Sequence, residues 1–373
     1  MATKVTWRQA LAWRMKRHLL DPVGRLPVEG VVRRLCGVQA QVASSAELAV
    51  RLRRDTSRPG EVSRALSEGR LIKTWAMRGT LHLLTPEEGG AFLSMMAAGR
   101  SWERPSWQRY FGVTPAQIEE LHLAAREALD GKLLTREELV AAVVAQPGLG
   151  HVGEALRSGW GTLLKPLAWK GDLCFGPSQG NRVTFMRPDA ASPRWAGVPD
   201  PEEATPIAIV AYFAAYGPTT VEAFGTWLAG GWFGKRHLKA WFAALSEQLA
   251  EVDVDGEGRI RPGEGRRRAG HRQAHVHRAA TGRVRPVRAG SRNRGWPRHP
   301  GGAADRREQA KWLDIAGRRG GRSGVRHLGA RPRSGAGHVV QGGRQAPRTA
   351  LKAEVGRLST ILDRDLGTAI GLG

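Results

Sequence analysis

Two glutamines separated by one residue are the first candidates for chemistry in this sequence. Gln39 and Gln41 lie in the segment 37–41, between two predicted helices. If the backbone there is extended, both side chains point to the same side, because side chains alternate along an extended chain. Their amides could then hold one small polar group between them, since each amide both donates and accepts hydrogen bonds. The alternative explanation of so short a motif is a solvated turn.

A second cluster lies in a predicted β-hairpin at 71–84. Arg78 precedes a glycine at the tip of this hairpin, and Thr80 and His82 alternate along the second strand, so both point to one face. A basic hairpin tip suits contact with a phosphate backbone or a minor groove, and we expect all three residues to contact DNA. The alternative is a structural hairpin whose long arginine side chain lies along the protein surface.

Three basic residues open a predicted helix further along the chain. Lys235, Arg236 and Lys239 follow the turn 229–231, which comes after a helix capped at Thr220. Two helices joined by a short glycine-containing turn form a helix-turn-helix motif, in which the second helix commonly reads DNA. These three residues are therefore predicted to contact DNA. A solvated helix face is the alternative explanation of their charges.

Other catalytic and metal-binding patterns are weak or absent. The sequence contains no P-loop, CxxC or HExxH motif. His271, His275 and His277 have loose metal-like spacing but lie in an Arg/Gly-rich stretch, so we expect no metal site and no cofactor. Cys36 and Cys174 are too few for a disulfide framework and fit a reducing cytoplasm. No apolar run is long enough for a bilayer, so we expect no membrane contact.

The elements that must position these residues recur three times along residues 1–260. Each part contains helices with apolar residues at helical spacing, followed by one or two β-like runs. This order is typical of a winged helix, so the sequence predicts three tandem winged-helix units, at 1–110, 111–200 and 201–260. The predicted fold class is α+β, mainly α with small β-hairpins. Tandem winged helices usually bind double-stranded DNA.

Several local predictions make this plan specific. Thr85, followed by a proline and two glutamates, and Thr135, followed by an arginine and two glutamates, are each predicted to cap a helix. Single helices are predicted at 152–169 and at 234–249. Residues 351–366 have the apolar spacing of an amphipathic helix, within a C-terminal helix and tail at 349–373.

The net charge of +24 is concentrated in one stretch. Residues 261–348 carry 23 basic and 4 acidic side chains, with 22 arginines and 17 glycines. This stretch contains few large apolar residues, and their burial cannot offset the entropy lost on ordering the chain. We therefore expect the stretch to be disordered. Three interpretations are open: a basic nucleic-acid-binding tail, a solvated linker, or a segment translated out of frame. The third is favoured, because the stretch lacks repeats and a one-base shift of its back-translated codons over 312–348 gives strand-like alternation.

Three segments together resemble the winged-helix DNA glycosylases of the AlkZ and YcaQ kind. They are VQAQ at 38–41, TWAMRGTLHLL at 74–84 and AYGPTTVEAFGTWL at 215–228. The resemblance covers residues 1–260 and resumes at 349–373. It implies three winged helices in a C-shaped protein that cradles DNA. The sequence departs from the family pattern near 283–292, where a Phe-Asp-x-Tyr type segment is expected and is absent.

The resemblance also implies an activity. Gln39 and Gln41 match the catalytic Gln-x-Gln form of the AlkZ-like branch, rather than the acidic form of the YcaQ-like branch. We expect a monofunctional glycosylase for alkylated purines, extending to interstrand crosslinks, that acts on double-stranded DNA as a monomer without a small-molecule cofactor. The alternatives are a non-catalytic DNA-binding protein or regulator, and an inactive product of a disrupted reading frame.

Overall fold

The computed structural model describes residues 2–159, 161–263 and 348–362. The helices are α1 (Trp7–Arg17), α2 (Val28–Arg34), α3 (Ala43–Arg51), α4 (Glu61–Ser67), α5 (Gly89–Ala98), α6 (Pro105–Phe111), α7 (Pro115–Ala128), α8 (Arg136–Val144), α9 (Gly153–Arg157), α10 (Leu164–Trp169), α11 (Pro188–Ala191), α12 (Pro201–Tyr216), α13 (Val221–Ala229), α14 (Lys235–Ala243) and α15 (Arg348–Leu362). The strands are β1 (Thr3–Val5), β2 (Val38–Gln39), β3 (Ile72–Trp75), β4 (Leu81–Leu84), β5 (Leu134–Thr135), β6 (Cys174–Phe175), β7 (Thr184–Met186), β8 (Leu249–Val254) and β9 (Glu257–Pro262). The predicted combination of many helices with small sheets is confirmed.

The larger sheet has six strands in the order β2-β4-β3-β6-β7-β5, all antiparallel. The hairpin β3–β4 lies next to the edge strand β2 and is found where the sequence predicts it. Lys73 pairs with Phe175, and this contact joins the hairpin to β6. Strands from the predicted units 1–110 and 111–200 therefore share one sheet, which the sequence did not indicate.

The smaller sheet has the order β1-β8-β9. Strand β1 runs parallel to β8, so the first residues of the chain join the part predicted as the third unit. Strand β9 continues to Pro262, two residues beyond the predicted end of that unit at 260. The run 250–256 predicts a single strand here, whereas β8 and β9 form a hairpin.

Threonine caps begin several of the helices. Thr114 and Thr135 each accept a hydrogen bond from the backbone N–H three residues on and form complete capping boxes, at the starts of α7 and α8. Thr220 accepts from the N–H of Ala223 at 3.1 Å and caps α13. The predicted caps at Thr135 and Thr220 are confirmed.

The predicted cap at Thr85 is wrong. Helix α5 begins four residues later, at Gly89, with Glu88 at the N-cap position and no side-chain cap. Thr85 is buried, with 4% of its surface exposed. Glu88 forms an ion pair with Arg33 at 3.2 Å.

The predicted single helix at 152–169 is also wrong. Helix α9 ends at Arg157 and α10 begins at Leu164. Gly161 lies in this break with a φ of 62°, and a Cβ atom there would lie 2.2 Å from the indole ring of Trp75. The break therefore makes room for a large ring from the hairpin.

The two remaining helix predictions are partly correct. The helix predicted at 234–249 ends at Ala243, because the chain turns after it with Leu245 buried and the N–H of Gln248 bonded to the Leu245 carbonyl at 2.9 Å. The helix predicted at 351–366 is found as α15. Position 366 and most of the stretch 261–348 lie outside the described residues.

The hairpin β3–β4 lies between two apolar cores. On one side Trp75 contacts Phe175 and Phe185, with ring centroids 4.7 and 6.0 Å away. On the other side Leu83 belongs to a second cluster with Val32. All four residues of β4 are buried, so β4 is a rigid support for the strand beside it. Among the described residues, no helix is long and apolar enough to cross a membrane.

Candidate active site

Gln39 and Gln41 lie at the exposed edge of the six-stranded sheet. They flank Ala40, which is 1% exposed and whose N–H donates to the Leu81 carbonyl at 2.7 Å. Gln39 pairs with His82 of β4, and both glutamine side chains are exposed. The extended backbone therefore brings the two amides to one side, as the sequence predicts.

The two amides differ in what holds them. The Oε1 atom of Gln41 accepts a hydrogen bond from the Leu81 N–H at 3.3 Å, so one end of that amide is oriented by the backbone of β4. The side chain of Gln39 makes no hydrogen bond with another described residue, and its amide is available to a ligand. One oriented and one available amide can position a water molecule or a polar substrate group.

A tight turn connects α2 to β2, the strand that carries Gln39 and that we call the glutamine strand. Cys36 and Gly37 have φ values of 58° and 100°, in the region that favours glycine. A Cβ atom at position 37 would lie 2.8 Å from the side chain of Leu84. Cys36 is 2% exposed, and burial raises the pKa of its thiol. The cysteine therefore stays protonated and serves as a packing residue beside the site.

Tyr216 holds this turn from the end of α12. Its hydroxyl donates to the carbonyl of Leu35 at 3.0 Å, four residues before Gln39. The ring packs edge-on against His18, with centroids 5.0 Å apart. Burial raises the pKa of the Tyr216 hydroxyl, so it remains a hydrogen-bond donor at all ordinary pH values. The position of the glutamine strand thus depends on a residue far away in sequence.

Arg78 links the hairpin tip to the end of α13. It has a φ of 57°, and its guanidinium donates to the carbonyl of Trp227 at 2.6 Å. Thr80 is half-buried and donates to the Met77 carbonyl at 3.1 Å. Both side chains therefore have partners within the protein. Their contact with DNA stays a prediction.

The prediction that His82 contacts DNA is wrong for this conformation. The side chain is 3% exposed because both faces of β4 are covered. Its Nδ1 atom lies 3.0 Å from the Thr80 carbonyl, and burial lowers the pKa of His82 to about 4. A buried, neutral imidazole cannot reach a phosphate, and it supports the backbone opposite Gln39 instead.

The lowered pKa of His82 predicts a dependence of stability on pH. Between about pH 6.5 and pH 4 the unfolded chain binds a proton that the native state excludes, so the free energy of unfolding falls as the pH is lowered through that range. The expected loss from this group reaches about 3 kcal/mol. Urea unfolding of the wild type and of His82→Gln across this range measures it. The variant should show a shallower profile, and identical slopes would contradict the assignment.

Lys235, Arg236 and Lys239 lie together on the exposed face of α14. The opposite face carries Leu238, which is 6% exposed. Gly225 of α13 permits this close packing, because a Cβ atom there would lie 2.8 Å from Leu238 Cδ1. The three cations are thus brought together on one helix, and their contact with DNA remains a prediction.

A cleft of about 340 Å³ lies between α1 and α12, and no motif in the sequence indicates it. Its polar lining residues are Arg14, His18, Tyr212, Tyr216 and Thr219. Burial raises the pKa of Tyr212 to about 12. The only sequence signal for this cleft is the spacing of the two tyrosines, which lie one helical turn apart. The cleft shares Tyr216 with the turn that leads to Gln39.

One further motif among the described residues does not form a reactive site. Residues 176–180 read GPSQG and match the G-x-S-x-G spacing, but they join the antiparallel strands β6 and β7. A nucleophile elbow joins a strand to a helix, so this match carries no catalytic serine. His271, His275 and His277 lie outside the described residues. Within those residues, no group of three His, Cys, Asp or Glu side chains could hold a metal ion.

Comparisons with known proteins agree on one relationship. A family model described as DNA glycosylase AlkZ-like matches residues 32–281, so the match ends inside the Arg/Gly-rich stretch. An "Interstrand DNA cross-link repair glycosylase" from Streptomyces sahachiroi is 50% identical over 254 residues, which are 68% of this chain and 68% of that relative. The solved structure of the Streptomyces sahachiroi DNA glycosylase AlkZ matches with a TM-score of 0.68 and 48% identity, over 70% of this chain and 71% of that one.

The fold, taken with these similarities, defines a DNA glycosylase. More particularly, the chain belongs to the AlkZ-like DNA glycosylase family. The resemblance predicted from VQAQ and the two longer segments is confirmed. DNA is accordingly the substrate polymer of this family.

Proposed function

We propose that this chain is a monofunctional glycosylase that hydrolyses the N-glycosidic bond of alkylated purines in double-stranded DNA, including purines joined in interstrand crosslinks. The observation that carries the proposal is the same-side exposure of Gln39 and Gln41 on a strand held by β4. The name of the Streptomyces relative supports crosslinked DNA as a substrate. We further propose that the protein acts as a cytoplasmic monomer without a cofactor.

The chemistry of the substrate suits neutral catalytic groups. An N7-alkylated purine is already a cationic leaving group, so its departure needs little acid catalysis. The sugar then develops the positive charge of an oxocarbenium ion. Gln39 and Gln41 would orient the attacking water and direct carbonyl dipoles toward that charge, which lowers the barrier by position and electrostatics. Without a carboxylate, the site should release undamaged bases poorly.

The proposal includes an arrangement of domains. Three tandem winged-helix units, with boundaries at 1–110, 111–200 and 201–260, would surround the DNA. Contacts with the DNA backbone are proposed for Arg78, Thr80, Lys235, Arg236 and Lys239. The exposed face of α14 supports this assignment, since its cations are matched to phosphates in charge.

The decisive experiment is base release. The purified chain is incubated with duplex DNA containing N7-methylguanine, and with a duplex carrying a purine–purine crosslink, and the released base is quantified against a Gln39→Ala variant. Release by the wild type and loss in the variant are expected. Tight duplex binding without any release would instead assign the chain as a non-catalytic DNA-binding protein.

Salt dependence tests the proposed phosphate contacts. Lys239→Ala is expected to weaken binding to all duplex sequences alike and to lower the slope of log affinity against log salt by about one, because one phosphate contact releases about one counterion. Arg78→Ala should do the same if its guanidinium leaves Trp227 for a phosphate. Lys132→Ala, which removes an exposed lysine between α7 and β5, is the matched control. An unchanged slope would assign Lys239 to a solvated helix face, or Arg78 to a structural role in the hairpin.

A further inference from the structure

A half-buried lysine lies against the tip of the β3–β4 hairpin. Lys165 belongs to α10, and its Cδ and Nζ atoms each lie 3.5 Å from the position that a Cβ atom would take at Gly79. Gly79 has a φ of 67°, a conformation that other residues rarely adopt, so the backbone of the tip is tightly curved here. The end of the lysine side chain therefore lies along the tip instead of extending into solvent.

The Lys165 amine has no partner among the residues that the structure describes. It forms no hydrogen bond or ion pair with any of them, and burial lowers the pKa of its ammonium group. Lys170, at the end of the same helix, pairs with Glu119. Withdrawing a cation from water without giving it a partner costs free energy, and an anion beside the cation lowers that cost. The Lys165 amine is therefore a candidate anion-binding group.

Arg78 adds a second positive charge to the hairpin tip. Its guanidinium uses one of its five N–H donors on the Trp227 carbonyl, at 2.6 Å. Among the described residues, no carboxylate forms an ion pair with Arg78 or with Lys165. We call Arg78, Gly79 and Lys165 the tip site. Two neighbouring cations without a carboxylate favour an anionic ligand.

The tip site lies next to the candidate active site. Gly79 comes two residues before Leu81, and two residues of chain span at most about 7 Å. The Leu81 N–H donates to Gln41 Oε1 at 3.3 Å, and the Leu81 carbonyl accepts from the Ala40 N–H at 2.7 Å. The lysine and the glutamine thus contact the same short stretch of the hairpin, 79–81. An anion at the tip site and a group held by Gln41 would be close enough to belong to one segment of a DNA strand.

We propose that the tip site binds a phosphodiester of the DNA strand whose base is released, with the Lys165 ammonium as the main contact and the Arg78 guanidinium as a second cation. A phosphodiester is the anion that adjoins every nucleotide of the substrate polymer. Holding the phosphate next to the reacting nucleotide fixes the position of its sugar relative to Gln39 and Gln41. Lys165 does this without contacting the base or the alkyl group.

This inference rests on the proposed function in taking DNA as the ligand, and it deepens that function by assigning the phosphate that sets the register of the damaged nucleotide. Because every nucleotide carries the same phosphate, the contact does not select the kind of lesion. A different use of an unpaired amine is attack on the aldehyde of the abasic product, which forms an imine and releases water. Borohydride reduces such an imine to a stable covalent adduct, so the two uses can be distinguished.

The salt dependence of binding tests the phosphate contact on the full-length chain. Duplex affinity is measured by fluorescence polarisation from about 0.1 to 0.4 M salt for the wild type, Lys165→Met and Lys165→Arg. At the lower salt concentration Lys165→Met is expected to weaken binding about ten-fold, and it should lower the slope of log affinity against log salt by about one. Lys165→Arg should keep most of the affinity and the slope. Because the amine has no partner in the described chain, the urea midpoint of Lys165→Met should not fall.

Lys73→Met is the matched control. Lys73 is also half-buried, and burial lowers the pKa of its ammonium group, but that group lies 5.6 Å from the ring centroid of Phe175. Lys73 pairs with Leu83, whereas Gln39 pairs with His82, so the lysine lies on the opposite face of the sheet from Gln39. Its substitution should change neither the affinity nor the slope.

Single uncharged methylphosphonate linkages locate the contacted phosphate. Each is placed in turn at the nearest linkages on both sides of an N7-methylguanine nucleotide whose sugar carries a 2′-fluorine, which destabilises the oxocarbenium ion and keeps the base in place. The wild type should lose about ten-fold in affinity at one linkage that adjoins the damaged nucleotide. Lys165→Met should lose nothing further there, because both changes remove the same contact.

Several results would overturn the inference. They are an unchanged salt slope in Lys165→Met, a lowered urea midpoint together with equal loss of affinity in Lys165→Arg, and additive losses at every linkage. A borohydride-dependent covalent adduct with abasic DNA that is lost in Lys165→Met would also overturn it, and would assign the amine to imine chemistry.

Base release from N7-methylguanine DNA is measured with the same preparations. If the wild type releases no base while the salt slope and the coupled linkage depend on Lys165, the proposed function fails and the inference stands. If base is released while neither depends on Lys165, the inference alone fails.

Discussion

Gln41→Ala is expected to lower the rate of base release by about 100-fold or more while changing duplex affinity by no more than a few-fold. A positioned polar group aimed at developing charge typically contributes a factor of this size. The substitution removes the amide that accepts from the Leu81 N–H at 3.3 Å, but it leaves the backbone bond between Ala40 and Leu81 in place. The strand therefore stays extended, and the loss falls on catalysis rather than on folding or binding.

Single-turnover release of N7-methylguanine measures the catalytic effect, and polarisation with an undamaged duplex measures affinity. Gln41→Asp should remain active or change its substrate preference, because the YcaQ-like branch of the resembled glycosylases carries an acidic residue at this position. Gln146→Ala, which removes an exposed glutamine after α8, is the matched control and should behave as the wild type. Base release by Gln41→Ala at the wild-type rate would end the catalytic assignment of this pair.

The local parts of the site could be predicted from the sequence because short-range chemistry determines them. The hairpin at 71–84, the caps at Thr135 and Thr220 and the same-side placement of Gln39 and Gln41 all depend on residues close together in the chain. Alternation along an extended backbone needs no tertiary information. The two longer segments that carry the family resemblance are local in the same sense.

The supports of the site could not be predicted because they join distant segments. Tyr216 bonds to the carbonyl of Leu35 across 181 positions, and Arg78 bonds to that of Trp227 across 149. The burial of His82 depends on packing over both faces of β4, whereas a strand pattern alone suggests one exposed face. The periodicity of apolar residues indicates which face of a single helix or strand is buried. It does not indicate which other element packs against that face.

At the break between α9 and α10, a ring from a distant segment overrides the local helical spacing. The effect of this ring can be tested by adding a single methyl group at Gly161. Gly161→Ala is expected to lower the free energy of unfolding by about 3 kcal/mol, from overpacking together with a positive φ. The new Cβ atom would lie 2.2 Å from Trp75, whose ring is confined by Phe175 at 4.7 Å and cannot retreat. Displacing Trp75 would disturb β3 and, through β4, the glutamine strand.

Gly180→Ala separates the two contributions to this loss. Gly180 has a φ of 60°, close to the 62° of Gly161, but no described atom lies within 4 Å of its would-be Cβ. Its substitution should therefore cost only the conformational part, about 1 kcal/mol. Urea unfolding at constant m value gives both numbers, and base release should fall in Gly161→Ala alone. Equal losses of unfolding free energy in the two variants would mean that backbone strain, and not the Trp75 ring, ends the helix. The hairpin would then have no packing link to this break.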